Sequence, residues 1–358
     1  MPRTLTIIVP CFNEEAVIEK FHRALTDVID RLTDLVWTVL YVDDGSKDLT
    51  LSVLRQLERE DDRVRVASLS RNFGHQAALS AGLDLATTDA VLTMDCDLQH
   101  PPALIPELLE QWNAGWDIVS TIRRETADSS LLKRNTSKFF YRLINRLSDT
   151  QVPAGAADFG LLSRPAYEAL RAMPETHRFL RGLVSWMGFS RTFVEFDAPP
   201  RAAGESKYTL RRMLKFASDA LLSFSSAPLR LATMLGLAVT SVGFLYLAYV
   251  LGRFLFVGDL VPGWGSLAAT VLFLGGVQLL CLGIVSEYVA RIYEQVKGRP
   301  RYLLKYTTAS TQPPPRRTQG DLYGYLSTED ERTELRHSMR APHRDLVPET
   351  ALAGENER

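Results

Sequence analysis

The sequence is poor in cysteine and carries almost no net charge. Its three cysteines, Cys11, Cys96 and Cys281, lie far apart and show no C-x-x-C spacing, which excludes a disulfide scaffold and a cysteine-rich zinc site. Lysine and arginine total 41 against 42 aspartate and glutamate, which gives a formal net charge of -1. Nucleic-acid-binding proteins usually have a clear basic excess, so we expect no nucleic acid among the partners.

Charged residues are missing from two long stretches in the second half of the chain. Residues 231–252 and 260–286 contain none, and about 20 apolar residues are enough to cross a bilayer. We therefore predict transmembrane helices at 228–256 and 266–290, joined by an extracytoplasmic loop at 257–265. A pair of buried core helices is the alternative, although uncharged stretches of this length are rare in soluble folds.

Basic residues flank this pair on its outer sides. The positive-inside tendency places such flanks in the cytoplasm. We therefore expect a multi-pass protein of the cell membrane, with both termini and the N-terminal domain in the cytoplasm. A juxtamembrane amphipathic helix is expected at 206–227, a basic cytoplasmic segment at 291–306 and a disordered polar tail at 307–358. The flanking basic residues are Lys207, Arg211, Arg212 and Lys215 before the pair, and Arg291, Lys297, Arg299, Arg301 and Lys305 after it.

Residues 1–205 have the pattern of an α/β domain. Apolar runs rich in strand-forming residues alternate with helical patterns of about 10–15 residues, which predicts a mostly parallel sheet covered by helices on both faces. In such sheets ligands bind beyond the carboxyl ends of the strands. The predicted strands are 5–10, 37–42, 64–69, 90–94 and 117–121, and the predicted helices lie near 16–32, 49–60, 76–86 and 103–113.

Acidic and amide side chains follow three of these strands. After the fourth strand come Asp95, Asp97 and Gln99, and alternate residues of an extended chain face the same side. Their hard oxygen ligands suit Mg²⁺ or Mn²⁺, although a single D-x-D pair is common by chance. The Asp43-Asp44-Gly45-Ser46 run can also be read as a turn that leads into a helix. The first two strands are followed or ended by Asn13, Glu14, Asp43 and Asp44.

Taken together, these motifs resemble family 2 glycosyltransferases with a GT-A fold. Further segments narrow the resemblance to polyprenyl-phosphate glycosyltransferases, the bacterial relatives of dolichol-phosphate mannosyltransferase. These segments are RNFGHQ at 71–76, DLQHPP at 97–102, FLRGL at 179–183 and GESKY at 204–208. The sequence has no Gln-x-x-Arg-Trp, the mark of processive synthases, so the resemblance implies addition of a single sugar.

The resemblance implies a role for each matching residue. Arg201 and Lys207 would reach phosphate groups from a loop that orders on binding, and Asp158 would be an acceptor-side or catalytic carboxylate. His75, His100 and His177 show no ligand spacing and are expected to be structural. The implied nucleotide-sugar contacts are Pro10, Asn13, Glu14, Asp43, Asp44, Asp95 and Lys207, the implied ligands of Mg²⁺ or Mn²⁺ are Asp95, Asp97 and Gln99, and the implied catalytic residues are Asp97, Asp158 and Arg201.

Basic residues recur every four positions along 131–147, beside an apolar face. Such a stripe is usually a solvated helix face, but with membrane spans downstream we favour an interfacial helix. The apolar stripe within 206–227 is read in the same way, with an ordinary core helix as the alternative. The resemblance places the acceptor phosphate at Arg134 and Ser137, with Arg123 and Arg124 as further candidates.

The predicted function is a membrane-bound inverting glycosyltransferase. It would move one sugar from a nucleotide-sugar, UDP-glucose or a similar UDP-sugar, to a polyprenyl phosphate at the cytoplasmic leaflet. A phosphate monoester has a second pKa of about 6, so it needs positioning more than a general base. GDP-mannose as donor, a sugar hydroxyl as acceptor with the spans as anchors, and a non-catalytic lipid-linked sugar translocator remain alternatives. The resemblance also suggests a homo-oligomer.

Overall fold

The structure, a computed structural model, describes residues 2–124, 155–176, 178–197, 227–257 and 263–309. The strands are β1 Arg3–Cys11, β2 Leu35–Asp43, β3 Val64–Leu69, β4 Ala90–Thr93, β5 Ile118–Arg123, β6 Ala156–Ser163, β7 Arg191–Phe196 and β8 Leu304–Thr307. The helices are α1 Ile18–Ile29, α2 Thr50–Glu60, α3 His75–Leu85, α4 Ile105–Asn113, α5 Arg164–Ala172, α6 Leu180–Trp186, α7 Ala227–Val257 and α8 Trp264–Val296.

The eight strands form one sheet in the order β7-β5-β6-β4-β1-β2-β3-β8. Strands β4, β1, β2 and β3 are parallel neighbours, and β5 is parallel to β7. Strand β6 runs antiparallel between β4 and β5, and β8 runs antiparallel to β3. The predicted α/β fold with a mostly parallel sheet is confirmed.

Strand β1 shows why this sheet is buried on both faces. Its run Leu-Thr-Ile-Ile-Val is almost wholly apolar, as is typical of a central parallel strand. Leu5, Ile7 and Val9 pack on the face covered by α1, α2 and α4, whereas Ile8 packs with α3, α5 and α6 on the other face. A Cβ added to Gly82 of α3 would lie 2.2 Å from Ile8 Cγ2, so this glycine lets α3 approach β1 closely.

The two C-terminal helices are long, apolar and exposed. Residues 227–246 of α7 and 273–296 of α8 are long and apolar enough to cross a membrane. In the most apolar 18-residue stretch of each, only 6% and 0% of the residues are buried in the protein. Side chains such as Leu245 and Leu279 are 69% and 71% exposed. A core helix of a soluble protein buries such residues, so the described structure favours membrane spans over the core-helix alternative.

Strand β8 corrects the boundary expected between a basic segment at 291–306 and a tail from 307. Leu304–Thr307 is the last strand of the sheet, and the Thr308 N–H donates to the Val66 carbonyl oxygen at 2.9 Å. The Leu-Lys-Tyr-Thr run is too short to give a clear strand signal, and its partner β3 lies more than 200 residues away. The tail can therefore begin no earlier than residue 310, and 310–358 lie outside the described residues.

Candidate active site

The loops after β1 and β2 are joined by hydrogen bonds from Asn13. Its N–H donates to Ser46 Oγ at 3.0 Å, and its Oδ1 accepts from the Lys47 N–H at 2.9 Å. Asn13 adopts a φ of 56°, a conformation that asparagine tolerates better than most residues. The Glu14 N–H donates to Thr50 Oγ1 at 2.8 Å. Asn13 and the half-buried Glu14 thus lie at the carboxyl edge of the sheet, where the sequence placed them.

Pro10 and Asp43 were expected to contact the nucleotide, but both are buried. Pro10 is buried inside β1 opposite Val42. The Asp43 carboxylate is 1% exposed and accepts from the Ser46 N–H at 3.0 Å and from Ser68 Oγ at 2.8 Å. Both residues therefore lie beneath the loops that follow β1 and β2 and support them.

The Asp44 carboxylate holds the loop that leads into α3. Its two oxygens accept from the Phe73 and Gly74 N–H groups at 2.7 and 2.8 Å. Burial raises the pKa of Asp44, and these two hydrogen bonds offset part of that rise. A Cβ on Gly45 would lie 2.4 Å from the Arg71 carbonyl carbon, so the β2 loop and the 71–74 loop are in close contact. By holding Phe73 and Gly74, Asp44 fixes the position of His75, which follows them in the chain.

The turn after β4 presents Asp95 and Asp97 on its open side. Cys96 is 3% exposed and the half-buried Leu98 packs against the same core, but the segment forms a turn instead of the extended chain on which the sequence argument relied. Leu98 has a φ of 61°, and Asp97 Oδ1 accepts from the Gln99 N–H at 3.0 Å, which closes a tight turn. Asp95, Asp97 and Gln99 are all half-buried.

His75, which the sequence led us to expect as a structural residue, lies between two carboxylates of the candidate site. Its Nε2 is 3.6 Å from Asp95 Oδ1 and 3.6 Å from Asp158 Oδ2. Desolvation disfavours the imidazolium, but the interaction with Asp158 and the charge of Asp95 outweigh it and raise the pKa of His75. Sequence reasoning missed this contact because the three residues are far apart along the chain.

His100 remains structural, as expected. Its Nδ1 accepts from the Asp95 N–H at 2.9 Å, and its ring stacks on Phe159 with centroids 5.0 Å apart. Burial lowers the pKa of His100, in agreement with a neutral ring whose Nδ1 acts as an acceptor. This histidine holds the backbone of the Asp95 turn in place. His177 lies outside the described residues.

Asp158 on β6 is paired with Arg181 of α6. Arg181 Nε and Nη2 donate to the two Asp158 oxygens at 2.6 and 2.8 Å, and Gln76 Nε2 donates to Asp158 Oδ2 at 3.4 Å. Gln76 Oε1 also accepts from the Leu180 N–H at 3.0 Å, which ties α3 to α6. Burial alone would raise the pKa of Asp158, but the Arg181 guanidinium and His75 hold it far below its usual range.

An open crevice with a cavity volume of about 60 Å³ adjoins the Asp158–Arg181 pair. Its walls are mostly aliphatic and come from β5, β6, α3 and α6, with Leu79, Leu180 and Val184 among them. An apolar surface therefore reaches the polar edge of the sheet.

The donor set at Asp95 and Asp97 fits a divalent cation shared with a phosphate ligand. Two carboxylates and the Gln99 amide are hard oxygen donors, and Mg²⁺ is commonly held by one or two carboxylates plus substrate phosphates. Within the described ranges, no group of three or more His, Cys, Asp or Glu side chains is arranged to hold a metal. A protein-only metal cage is therefore not found there, whereas a metal–diphosphate site at this turn suits the donors.

Several predicted site residues are not in this cluster. Arg134, Ser137, Arg201 and Lys207 lie outside the described residues, as do most of the two stripes read as interfacial helices. Arg123 ends β5 with an exposed side chain. Its neighbour Arg124 is paired with Glu195 at 3.0 Å and Asp197 at 3.6 Å, so its charge is already balanced by acids.

Comparison with protein families gives two matches. The family described as "Glycosyl transferase family 2" matches residues 6–171. The family described as "GtrB C-terminal hairpin" matches residues 227–292. The first match contains most of β1, all of β2 to β6, and the carboxylate cluster, by which we mean Asp44, Asp95, Asp97 and Asp158 around His75; the second contains α7 and most of α8.

Two curated relatives align along most of the chain. The uncharacterized glycosyltransferase YkcC of Bacillus subtilis (strain 168) is 40% identical over 300 residues, which cover 84% of this chain and 93% of the relative. The SfII prophage-derived bactoprenol glucosyl transferase of Shigella flexneri is 40% identical over 301 residues, which cover 84% and 97%. Among solved structures, glucosyl-3-phosphoglycerate synthase from Mycobacterium tuberculosis, in complex with Mn²⁺, UDP-glucose and phosphoglyceric acid, matches with a TM-score of 0.40 and 19% identity, covering 62% of this chain and 78% of that one.

Proposed function

The chain belongs to glycosyltransferase family 2, and from this premise we propose that it transfers one sugar from a nucleotide-sugar to a polyprenyl phosphate. Relatives that align along almost their whole length are named bactoprenol glucosyl transferases. The C-terminal hairpin match and the two exposed apolar helices support association with a membrane. Both features suit an acceptor that carries a phosphate on a lipid chain.

The observation that carries the proposal is the hydrogen-bonded pairing of the Asp158 carboxylate with Arg181, next to His75. Arg181 keeps Asp158 ionised and engaged in two hydrogen bonds, and His75 has a raised pKa. Among the described residues, neither is well placed to take a proton from a sugar hydroxyl near pH 7. A phosphate monoester has a second pKa of about 6 and arrives already ionised, so it needs only to be positioned.

The donor would lie along the carboxyl edge of β1, β2 and β4. Asn13 and Glu14 are placed to contact its nucleoside, while Asp95, Asp97 and Gln99 would hold Mg²⁺ or Mn²⁺ and the diphosphate. When bound, the cation supplies charge stabilisation for the departing diphosphate. A UDP-sugar such as UDP-glucose is the proposed donor, and GDP-mannose is the competing one.

The remaining residues act by positioning and charge. Asp44 and the Asp158–Arg181 pair hold His75 beside Asp95. In the proposed reaction the acceptor phosphate oxygen forms a bond to the anomeric carbon while the bond from that carbon to the diphosphate breaks, with inversion. Arg134, Ser137 and Arg123 would hold the acceptor phosphate, and Arg201 and Lys207 the donor phosphates. The catalytic domain and both termini would face the cytoplasm.

The test uses purified full-length protein with paired donors and paired acceptors. UDP-glucose and GDP-mannose are each incubated with polyprenyl phosphate and with polyprenol, and the masses of the lipid products are measured by mass spectrometry. We expect one added hexose on polyprenyl phosphate with UDP-glucose and none on polyprenol. Transfer to polyprenol, or to a sugar hydroxyl but not to polyprenyl phosphate, would contradict the proposal.

A further inference from the structure

The end of α8 is fastened to the segment that follows α5. Gln295 Nε2 donates to the Pro174 carbonyl oxygen at 2.9 Å, and Gln295 Oε1 accepts from the Thr176 N–H at 2.8 Å. These two bonds place the cytoplasmic end of the second apolar helix directly against the catalytic domain. The junction so formed is separate from the carboxylate cluster described above.

Two arginines of like charge meet at this junction. Just beyond α8, the Tyr302 hydroxyl donates to Asp84 Oδ2 at 2.9 Å, which anchors the neighbouring Arg301 near α3. Burial, and then the charge of Arg301, lower the pKa of Arg178 to about 10. Bringing two guanidinium groups together is unfavourable unless an anion balances them.

Arg178 is deeply buried and only partly satisfied. It is 8% exposed, and its Nη2 donates to the Arg171 and Met173 carbonyl oxygens at the C-terminal end of α5. Its Nε and Nη1, together with Arg301 Nη1, are buried without a hydrogen-bond partner. Buried charged donors are normally satisfied because leaving them unpaired is costly.

The nearby acids, Asp84 and Glu175, do not accept hydrogen bonds from the unpaired nitrogen atoms of Arg178 and Arg301. Asp84 already accepts the Tyr302 hydroxyl, and Glu175 Oε2 is itself buried without a partner. Within the described part of the chain, Glu175 forms no ion pair with Arg178 or Arg301. Nε and Nη1 of Arg178 and Nη1 of Arg301 therefore lack a hydrogen-bonded acid among the described residues, although the charges of Asp84 and Glu175 act on Arg178.

We infer that Arg178 and Arg301 form a second anion site, which takes the phosphate group of an anionic membrane lipid. Guanidinium groups match phosphate oxygens in geometry and charge. The site follows the apolar part of α8 within about three turns, where the headgroups of the adjoining leaflet would lie. Asp84 is nine residues from His75 along α3, about 14 Å at 1.5 Å per residue, so the site goes beyond the proposed transfer reaction.

The test measures lipid binding by the purified full-length chain without any nucleotide-sugar. Short-chain phosphatidylglycerol, short-chain phosphatidylcholine and inorganic phosphate are each titrated by native mass spectrometry and thermal shift. We expect phosphatidylglycerol to bind and raise the melting temperature, and phosphatidylcholine to do neither. Arg301→Gln should weaken this binding about tenfold, the effect of one lost charge-assisted hydrogen bond. Arg299→Gln, an equal charge change at an exposed neighbour, should leave binding unchanged.

Additional arms separate the outcomes. Glu175→Gln removes a competing carboxylate and should strengthen binding. Equal binding of inorganic phosphate would keep the site but assign it to a soluble anion. Wild-type binding by both Arg301→Gln and Arg178→Gln, with folding checked by circular dichroism, would overturn the inference. Because no sugar donor is present, failure of the proposed transfer reaction would not alter these results.

Discussion

At the scale of single residues, the Asp158–Arg181 pair is the buried ion pair of the candidate site. Asp158 is 9% exposed at its side chain, and both of its oxygens are held by Arg181. Removing one partner of such a pair leaves an uncompensated buried charge, which is usually far more costly than the pair itself is worth. The pair therefore affects stability and activity together.

Arg181→Gln should lower the free energy of unfolding by about 3 kcal/mol near pH 7. Asp158 has a depressed pKa in the folded state, so its stabilisation is present above the unfolded value of about 3.9 and fades as the pH falls below it. The difference between wild type and variant should therefore shrink as the pH falls below about 4, because Asp158 is neutral there in the variant. Chemical denaturation across this pH range measures it. A difference that does not depend on pH would contradict the assignment.

Asp97→Ala should abolish turnover without unfolding the protein. Asp97 is half-buried in the turn after β4, where the proposed function has it share a divalent cation with Asp95. Excess chelator should stop the wild type, and Mg²⁺ or Mn²⁺ should restore it. Asp62→Ala, a change at an exposed aspartate in the α2–β3 turn, is the matched control and should remain active. Full wild-type activity in excess chelator would exclude the metal site.

At the scale of elements, β8 connects the two long C-terminal helices to the sheet. It pairs with β3, and the Ser70 N–H donates to the Leu303 carbonyl oxygen at 2.8 Å. Tyr306 donates to Glu58 Oε2 at 3.2 Å and lies under the Arg55 guanidinium. Strand β3 continues into the loop that Asp44 holds, so β8 supports the site from the sheet edge.

Truncation should separate the tail from this strand. Deleting 310–358 should leave turnover and melting temperature nearly unchanged, because all described contacts of β8 remain. Deleting 303–358 should destabilise the domain, since several backbone hydrogen bonds worth roughly 0.5–1.5 kcal/mol each are lost and the edge of β3 is uncovered. Thermal unfolding and transfer assays on both truncations measure the effects. Equal stability of the two would show that β8 has no structural role.

The close approach of α3 to β1 gives a second prediction at this scale. Gly82→Ala would place a Cβ 2.2 Å from Ile8 Cγ2, and such overpacking costs about 1–3 kcal/mol. The same change in an Ile8→Ala background should cost much less, because the clashing methyl group is gone. A double-mutant cycle by chemical denaturation measures the coupling. Additive effects would show that the two residues are not in contact.

At the scale of the whole molecule, periodicity was enough to predict the central fold. The five strands and four helices of the N-terminal part follow from long apolar runs and regular helical spacing, and their order implied the parallel sheet. Strands β7 and β8 were not predicted. Strand β7 is half exposed, β8 is four residues long, and the partners that stabilise them are distant in sequence.

The site was predictable only where chemistry lies in one short segment. Asp95, Asp97 and Gln99 stand out because three side chains with oxygen donors follow one strand within five residues. The contact of His75 with Asp95 and Asp158 depends instead on three elements, and Arg181 reaches Asp158 from a fourth. His75 and Arg181 lie in the 71–76 and 179–183 motifs, but the spacing of residues along the chain does not show which side chains they contact.

The most direct test of the central claim follows the oxygen atoms of the acceptor. Polyprenyl phosphate labelled with ¹⁸O in its phosphate is incubated with unlabelled UDP-glucose and the full-length protein, and both products are analysed by mass spectrometry. Attack by the lipid phosphate predicts a glucosyl lipid monophosphate that keeps all of the label, with ¹⁸O between the anomeric carbon and phosphorus, and unlabelled UDP as the released nucleotide. Release of UMP with a lipid diphosphate product, or a bridging oxygen without label, would contradict attack by the lipid phosphate on the sugar.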